Sequence, residues 1–384
     1  MITQLNINNF KFHKNTELKI GNLTIICGNN SVGKTSAIQP LLLLREAYLN
    51  KSEFSYLDLL SNPVKVGTVG DALYQYGNKD MISFELKTNY NDYQFSFGEE
   101  TSDYTKTLIE KSIDSELNNF ENIFNGNESL FSENFQYISS ARIGSLQSYP
   151  KDDVVVEKYK QISVIEGKAE FCVHFLHRNQ NQEVIAPLIN KNSELTNLIS
   201  QVTAWEKDIS EGIIVKIEDN GKLGFELKYQ YDTLIGTKKS NELSAQNVGF
   251  GITYVLPILV AILSAKPNSL IIIENPEAHL HPYGIAKITE LICKAAQAGI
   301  QIIIETHSDH VINGILVQSK KFTETEGKEG INSKNVKIYQ FVRNNEEFCA
   351  KVELLNIEED GRIRYAPKGF FDQFSIDRKY LIGF

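Results

Sequence analysis

The chain has 384 residues, 42% of them hydrophobic, enough to bury one or two cores. A formal net charge of −9 and a pI of about 5.4 exclude a global basic field for nucleic acid or an anionic membrane. Scattered cysteines without C-x-x-C spacing, and the lack of a signal peptide or an apolar run of membrane length, predict a cytoplasmic protein with free thiols and no membrane partner.

In chain order, Ile2–Phe10 alternates apolar and polar residues, and Thr16–Ile20 and Leu23–Cys27 read as further strands. Between the first two, the loop Asn9–His13 either sets Lys11 or Phe12 against a bound base or ribose, or is an ordinary surface loop. Gly28-Asn29-Asn30-Ser31-Val32-Gly33-Lys34-Thr35 then follows, leading through Ser36 into a helix that runs to about Tyr48. The spacing G-x-x-x-x-G-K-T between a strand and a helix is that of a phosphate-binding loop. Its glycines let backbone N–H groups turn inward around a phosphate, and the helix points its positive end at the same anion. Lys34 reaches the β- and γ-phosphates, and the Thr35 hydroxyl is placed to ligate Mg²⁺. A nucleoside triphosphate held by Asn29 through Ser36 is the expected ligand.

Val64–Val69, Met81–Leu86 and Tyr93–Phe97 read as strands. Residues 99–135 break this pattern with nine acids against Lys106 and Lys111 and only a sparse apolar period, which predicts a helical, mobile insertion. Strands return at Phe135–Ile138, Val154–Val156 and Ala169–Leu176. They precede a helix over Leu195–Ile209 that carries the sole tryptophan, Trp205, as a core residue. Ile213–Glu218 and Leu223–Tyr229 form a hairpin around Asp219-Asn220-Gly221. From Leu243 onward the pattern is α/β. Val248–Gly251 opens a helix to about Ala265, and Ser269–Ile273 and Ile300–Ile304 are β-branched runs suited to strands buried on both faces. Helices Tyr283–Ala298 and Asp309–Val317, strands Val336–Val342 and Phe348–Leu355, and an aromatic, basic tail Gly361–Phe384 complete the chain.

Leu270-Ile271-Ile272-Ile273-Glu274 is an apolar strand ending in a carboxylate, the pattern of a Walker B element that holds the Mg²⁺ shell beside Thr35. Three residues on, Glu277 either polarises an attacking water or belongs to a charged loop. Ile302-Ile303-Ile304-Glu305-Thr306-His307 repeats the logic on the next strand. There His307 either senses the γ-phosphate or joins His279, His281 and His310 in a metal cluster, although the His279-Leu280-His281 spacing lacks a clear four-ligand set.

The phosphate loop, Ile273–Pro282 and Glu305-Thr306-His307-Ser308 together resemble the ABC-type ATPase heads of the SMC/RecF-like branch. Within it they are most similar to the stand-alone bacterial AAA family ATPases related to the ATPase half of overcoming-lysogenisation-defect (OLD) nucleases. Asn9–Phe12, Tyr137–Arg142, Val248–Pro257 and the tail Gly369-Phe370-Phe371-Asp372-Gln373 extend the likeness over most of the chain. The last resembles a C-terminal domain of unknown function common in that group. The resemblance implies an α/β P-loop NTPase fold: an ABC ATPase head with a mixed, largely parallel sheet core, an antiparallel β subdomain and a helical insertion. The 384 residues would form a single head. Its parts are an N-terminal lobe (1–98), the acidic insertion (99–135), a β-rich and helical arm (136–242), a C-terminal lobe (243–320), and final strands and tail (321–384).

The resemblance also implies roles. Lys11 and Phe12 lie near the base or ribose of ATP, Glu277 is the hydrolytic base, and His307 is the switch histidine. Asn247-Val248-Gly249-Phe250-Gly251 stands where a signature motif completes the site of a second subunit, and Gln75 is the candidate Q-loop glutamine near Mg²⁺. The expected protein is an ATP-hydrolysing switch that dimerises head to head, or forms a higher homo-oligomer, and controls a separate effector, a nuclease or toxin, in anti-phage defence. A RecF-like DNA repair ATPase, with nucleic acid as partner, is the alternative. The absence of an L-S-G-G-Q signature argues against a transporter, and the distance in sequence from Lys34 to Glu274 argues against a small-molecule kinase.

Overall fold

The computed structural model describes residues 1–50, 54, 56–77, 81–98, 107–110, 123, 128–232, 240–365, 367, 370–371 and 373–383. An antiparallel N-terminal sheet has the spatial order β2 (His13–Lys19), β1 (Ile2–Phe10), β5 (Met81–Thr88), β6 (Asp92–Gly98), β7 (Thr107–Glu110), β4 (Tyr56–Asp58). A small third sheet pairs β11 (Leu243–Ser244), β10 (Phe225–Tyr231) and β9 (Ile213–Asp219).

Between them runs the sheet that positions the site, in the order β15 (Cys349–Leu355), β14 (Val336–Asn344), β3 (Leu23–Gly28), β13 (Gln301–Thr306), β12 (Leu270–Glu274), β8 (Phe135–Ile138). From β14 to β8 every pairing is parallel, and only β15 returns antiparallel. The side-chain period of two divides these strands between two cores. Ile26, Leu270, Ile272 and Ile303 join the core beneath the N-terminal sheet, with helix α1 (Lys34–Leu49). Leu23, Ile25, Cys27, Ile271, Ile273, Ile302 and Ile304 face the opposite core. That second core is closed by α4 (Leu198–Ile209), α5 (Phe250–Ser264), α6 (Pro282–Gln297) and α7 (Asp309–Glu324). Helix α5 is buried without a break from Ile252 to Leu263, so it has no solvent stripe and acts as the central pillar of that half.

Three expected strands take other forms. Val64–Val69 is irregular and runs into the single-turn helix α2 (Val69–Ala72), closed by a Thr68–Asp71 capping box. Val154–Lys158 is a helical turn because the Asp152 carboxylate accepts from Val154 N and Val155 N at 2.9 and 3.0 Å, satisfying the donors that a strand would have offered a neighbour. Cys172–Arg178 is helix α3, with Cys172 through Leu176 all buried, a run that fits no alternating strand face. Most of the acidic insertion lies outside the described residues. Of its described part, Thr107–Glu110 is a strand paired to β4 and β6, and Ser129–Phe131 is a single 3₁₀ turn. In the tail, Phe370 and Phe371 pack edge to face at 5.0 Å against the second core, and Gln373–Ile382 is helix α8. Gly369 and Asp372 lie outside the described residues. Among the described residues no helix is long and apolar enough to cross a membrane.

Trp205 is buried as expected, its Nε1–H donating to the Leu188 carbonyl at 2.9 Å. Its neighbour Glu206 is the unforeseen feature of this core: it is fully buried and neither carboxyl oxygen has a hydrogen-bond partner. Burial holds its pKa well above the ordinary 4.5, so the folded chain keeps a proton that the unfolded chain releases. Stability therefore falls as pH climbs above about 4.5, at up to ~1.4 kcal/mol per pH unit. Glu206→Gln is expected to flatten that slope and to exceed the wild type in stability at alkaline but not at acidic pH. Urea unfolding at the two pH values checks this, and an unchanged slope contradicts it.

Candidate active site

The parallel strands all end on one side, and their last residues build the site. Strand β3 ends at Gly28, at a φ of 137°, where a Cβ would collide with the Phe341 carbonyl on β14. The chain then turns through Ser31 at φ 59° and Gly33 at φ 94°. Gly33 precedes α1 with no side-chain cap, so the first turn presents its N–H groups to whatever anion lies above it. Lys34 is 4% exposed, its ammonium donating to the Asn29 carbonyl across the loop. Burial lowers the Lys34 pKa, with Glu305 opposing.

Glu274 ends β12 and pairs in register with Glu305, the last residue but one of β13. Both oxygens of Glu274 are engaged: Tyr137 Oη donates to Oε1 at 2.8 Å and Ser140 N to Oε2 at 2.9 Å. Glu305 instead accepts from Thr35 Oγ1 at 2.9 Å, while its Oε2 is buried without a partner. Burial first, then the Glu274 charge, pushes the Glu305 carboxyl up to about 7. Thr35 thus meets Glu305 rather than Glu274, a residue for which the sequence reading assigned no role. The repeat of I-I-I-E on consecutive strands was the signal that pointed to it.

Glu277 accepts from His307 N at 3.2 Å through Oε1, and its Oε2 is also buried and unpartnered. Its pKa is raised, by burial above all. The pKa of His307 is lowered by burial and by the nearby Lys34 ammonium, against a hydrogen bond to the Gly28 carbonyl. Glu277, His307 and the P-loop therefore share one corner. Two orphaned carboxylate oxygens, a glycine-lined cradle and a buried lysine fit a nucleotide phosphate with its divalent cation.

Residues beneath the loop complete it. Phe12 lies against the P-loop, where a Cβ on Gly33 would come within 3.0 Å of its Cβ. Lys11, at φ 49°, donates its backbone N–H to Ala72 O at 2.8 Å, and its ammonium feels Asp71. His13 is buried under the turn, with Nδ1 3.0 Å from Thr16 Oγ1 and Nε2 3.1 Å from the Gly33 carbonyl. The neutral tautomer with its proton on Nε2 satisfies both: it accepts from Thr16 and donates to Gly33. Arg142 is a second supporting residue without an assigned role in the sequence reading. It is buried, and its guanidinium donates to the carbonyls of Ser139, Tyr254, Glu274 and Asn275 at 2.8–3.2 Å. It pins the turn that carries Glu274 toward Glu277.

Asn247 through Gly251 stands at the open N-terminus of α5, with Asn247, Gly249 and Phe250 exposed and no side-chain cap. Phe250 meets the His279 ring edge to face at 4.8 Å, and a Cβ on Gly251 would collide with the His279 carbonyl. This segment therefore packs on the outer side of the Glu277–His281 loop. His281 itself caps α6, its Nδ1 accepting from Tyr283 N at 3.3 Å. Gln75 is exposed in a turn between Tyr74 and Tyr76 and makes no hydrogen bond among the described residues.

A family profile described as "AAA domain, putative AbiEii toxin, Type IV TA system" matches residues 23–313. A second, described only as a protein of unknown function, matches residues 331–381. The chain is similar to the OLD nuclease of Thermus scotoductus, with 22% identity over 329 residues, covering 80% of this chain and 59% of that protein. It also resembles the Old nuclease of Escherichia phage P2, with 35% identity over 83 residues, 20% of this chain and 14% of the relative. The chain thus spans less than two thirds of either relative's length. Its fold is similar to a crystal structure of an Smc head bound to the C-winged helix domain of ScpA, with a TM-score of 0.54 and 13% identity over 93% of this chain and 99% of that one. An Smc head with an extended coiled coil, bound to the C-terminal domain of ScpA derived from Pyrococcus furiosus, aligns with a TM-score of 0.52 and 10% identity over 100% and 99% of the two chains.

His13 gives this site a pH signature. Burial pushes its pKa down to about 4, whereas the unfolded ring titrates near the ordinary 6.5. The unfolded chain takes up the proton first, so stability drops as pH falls through that window. His13→Gln is expected to lose that part of the acid sensitivity and to weaken ATP binding about tenfold (~1.4 kcal/mol, one buried hydrogen-bond pair). Thermal unfolding between pH 7 and 4.5 and an equilibrium titration with ATP read the two effects; an unchanged acid slope contradicts the assignment.

Proposed function

Because the chain belongs to this AAA domain family, as an ABC-type ATPase of the SMC/RecF-like branch related to OLD nucleases, we propose that it hydrolyses ATP and uses the cycle as a switch between a closed dimer and open protomers. The observation that carries the reading is the Glu277–His307 corner: a half-buried glutamate of raised pKa, with one carboxyl oxygen buried and free, beside the P-loop. A carboxylate of raised basicity, held by a backbone N–H at one oxygen, has the other available to take a proton from water. Lys34 and the N–H groups of the α1 turn hold the phosphates, and His307 reports on the γ-phosphate from the end of β13. Mg²⁺, when bound with the nucleotide, supplies charge neutralisation at the phosphates; Thr35, Glu305 and Glu274 are the residues on hand to hold its shell.

The second half of the site comes from another copy. The α5 N-terminus at Asn247–Gly251 is open to solvent and packs beside the Glu277–His281 loop, so a partner docked face to face presents it to the first protomer's γ-phosphate. Closing excludes water, and loss of the γ-phosphate removes the anion that joins the halves. The closed dimer then controls an effector, a nuclease or toxin, in defence against phage. The names of the relatives and of the family support a nuclease or toxin as the effector by analogy.

Glu277→Gln removes the base while leaving the nucleotide contacts, and is expected to trap the closed state. Its solution mass doubles with Mg²⁺–ATP and returns to one protomer when Lys34→Ala is added. A mass fixed at one protomer under both conditions contradicts the composite site.

A further inference from the structure

A cavity of about 760 Å³ opens beside β8, the edge strand of this sheet, walled by the C-terminal half of α1, residues 131–135, Tyr137 and the loop 158–167. That volume lies within the range of small-molecule sites. Nothing in the ATPase mechanism uses it, yet two of its walls belong to that mechanism. Helix α1 begins at the phosphate loop and ends here. Tyr137 lines the cavity with its ring and gives its hydroxyl to Glu274 at 2.8 Å.

The lining defines the chemistry of an occupant. Arg45 is 5% exposed on the floor, its guanidinium 4.2 Å from the centre of the Phe135 ring. Its Nη1 donates to the Leu130 and Ser132 carbonyls at 2.5 and 3.0 Å, and no carboxylate forms an ion pair with it among the described residues. Asn62 Oδ1 is buried in the lining without a hydrogen-bond partner, so it awaits a donor. Tyr159 and Val164 stand 46% and 42% exposed at the rim and offer apolar surface to an occupant. The charges balance, Arg45 and Lys158 against Glu46 and Glu133, which disfavours a polyanion. Aromatic walls, an unmet acceptor and no net charge select a flat, neutral heteroaromatic ring with N–H groups on its edge.

We propose that this cavity is a regulatory site for a nucleoside-like ligand, coupled to the ATP site through Tyr137 and Glu274. A nucleoside carries no phosphate for the P-loop to hold, so the two sites divide their ligands by charge. The regulatory half rests on the ATPase reading, whereas binding does not. An occupant that shifts the Tyr137 ring changes the hydrogen bond that holds Glu274, and by reciprocity ATP changes the occupant's affinity by the same factor.

The test titrates adenosine, guanosine, cytidine and uridine into the full chain by calorimetry, with the P-loop site saturated by Mg²⁺–ADP and again in Lys34→Ala. The expected result is a one-to-one isotherm for at least one nucleoside, kept in Lys34→Ala and weakened about tenfold or more (~1.4 kcal/mol) by the rim substitutions Tyr159→Ala and Val164→Arg. The bound nucleoside shifts the Kd for ATP, and Tyr137→Phe abolishes the shift while leaving the nucleoside bound. No isotherm from any of the four, or one indifferent to both rim substitutions, overturns the site; loss of binding in Lys34→Ala places the nucleoside in the P-loop instead. Rim-dependent binding with an unmoved ATP affinity overturns the coupling alone. Failure of the chain to bind ADP or ATP leaves the isotherm intact and tells against the ATPase reading instead.

Discussion

Two carboxylates at the same register on neighbouring parallel strands, Glu274 and Glu305, are the constraint to which the rest of the centre answers. Like charges at that spacing oppose one another, and burial raises the cost of ionising both. The fold resolves the conflict unevenly. Glu274 is saturated by Tyr137 and Ser140, whereas Glu305 is left with one bond from Thr35 and a pKa near neutrality. One member thus has both oxygens engaged, and the other keeps one oxygen unpartnered and a raised pKa. Arg142 forms no ion pair among the described residues; it holds the carbonyls of the same turn and so fixes the direction in which Glu274 points.

The strand order explains why this corner is small. Strand β13 lies between β3 and β12, so its end touches both the P-loop and the Glu274 turn, and Glu305, Thr306 and His307 become the bridge between them. Ligands of α/β sheets collect outside the carboxyl ends of the strands, where connections diverge. Here the divergence sends the chain from β3 into α1, from β12 into the Glu277–His281 loop and from β13 into α7. The antiparallel sheet contributes from below, through Phe12 and His13 in the β1–β2 turn. Among the described residues no charged group of that sheet touches the phosphate cradle through a hydrogen bond; its role is to set the height of the floor.

Much of the centre was legible because its physics is local. The G-x-x-x-x-G-K-T spacing, the two β-branched runs ending in acids, and the Val248–Gly251 helix start each declare strand, turn or helix within a few residues. The misread stretches were those in which a side chain overrode backbone preference. Val154–Val156 has strand-like composition, but Asp152 captures its N–H groups. Cys172–Leu176 is apolar enough for a buried strand yet coils because every face is covered. Glu305 and Arg142 escaped assignment for another reason: their partners, Thr35 and the Glu274 turn, lie more than one hundred residues away in sequence. Glu206 had no signal at all, since an amphipathic helix with a glutamate at that place reads as solvent-facing until its neighbours close over it.

The pairing of β3 has a consequence for how the protein comes into being. The phosphate loop belongs to a strand completed at Gly28, yet both neighbours of that strand, β13 and β14, begin only at Gln301 and Val336. On the ribosome the P-loop strand waits with both edges unsatisfied until β13 is made, more than 270 residues later. Pairings of such sequence separation are slow to form, and an unpaired apolar strand is a hazard while it waits. The β1–β2 hairpin, complete by Lys19, is the first structure able to shelter it. The strand that carries the phosphate loop is therefore framed on both edges only once β14 has been made, about three hundred residues after the motif itself.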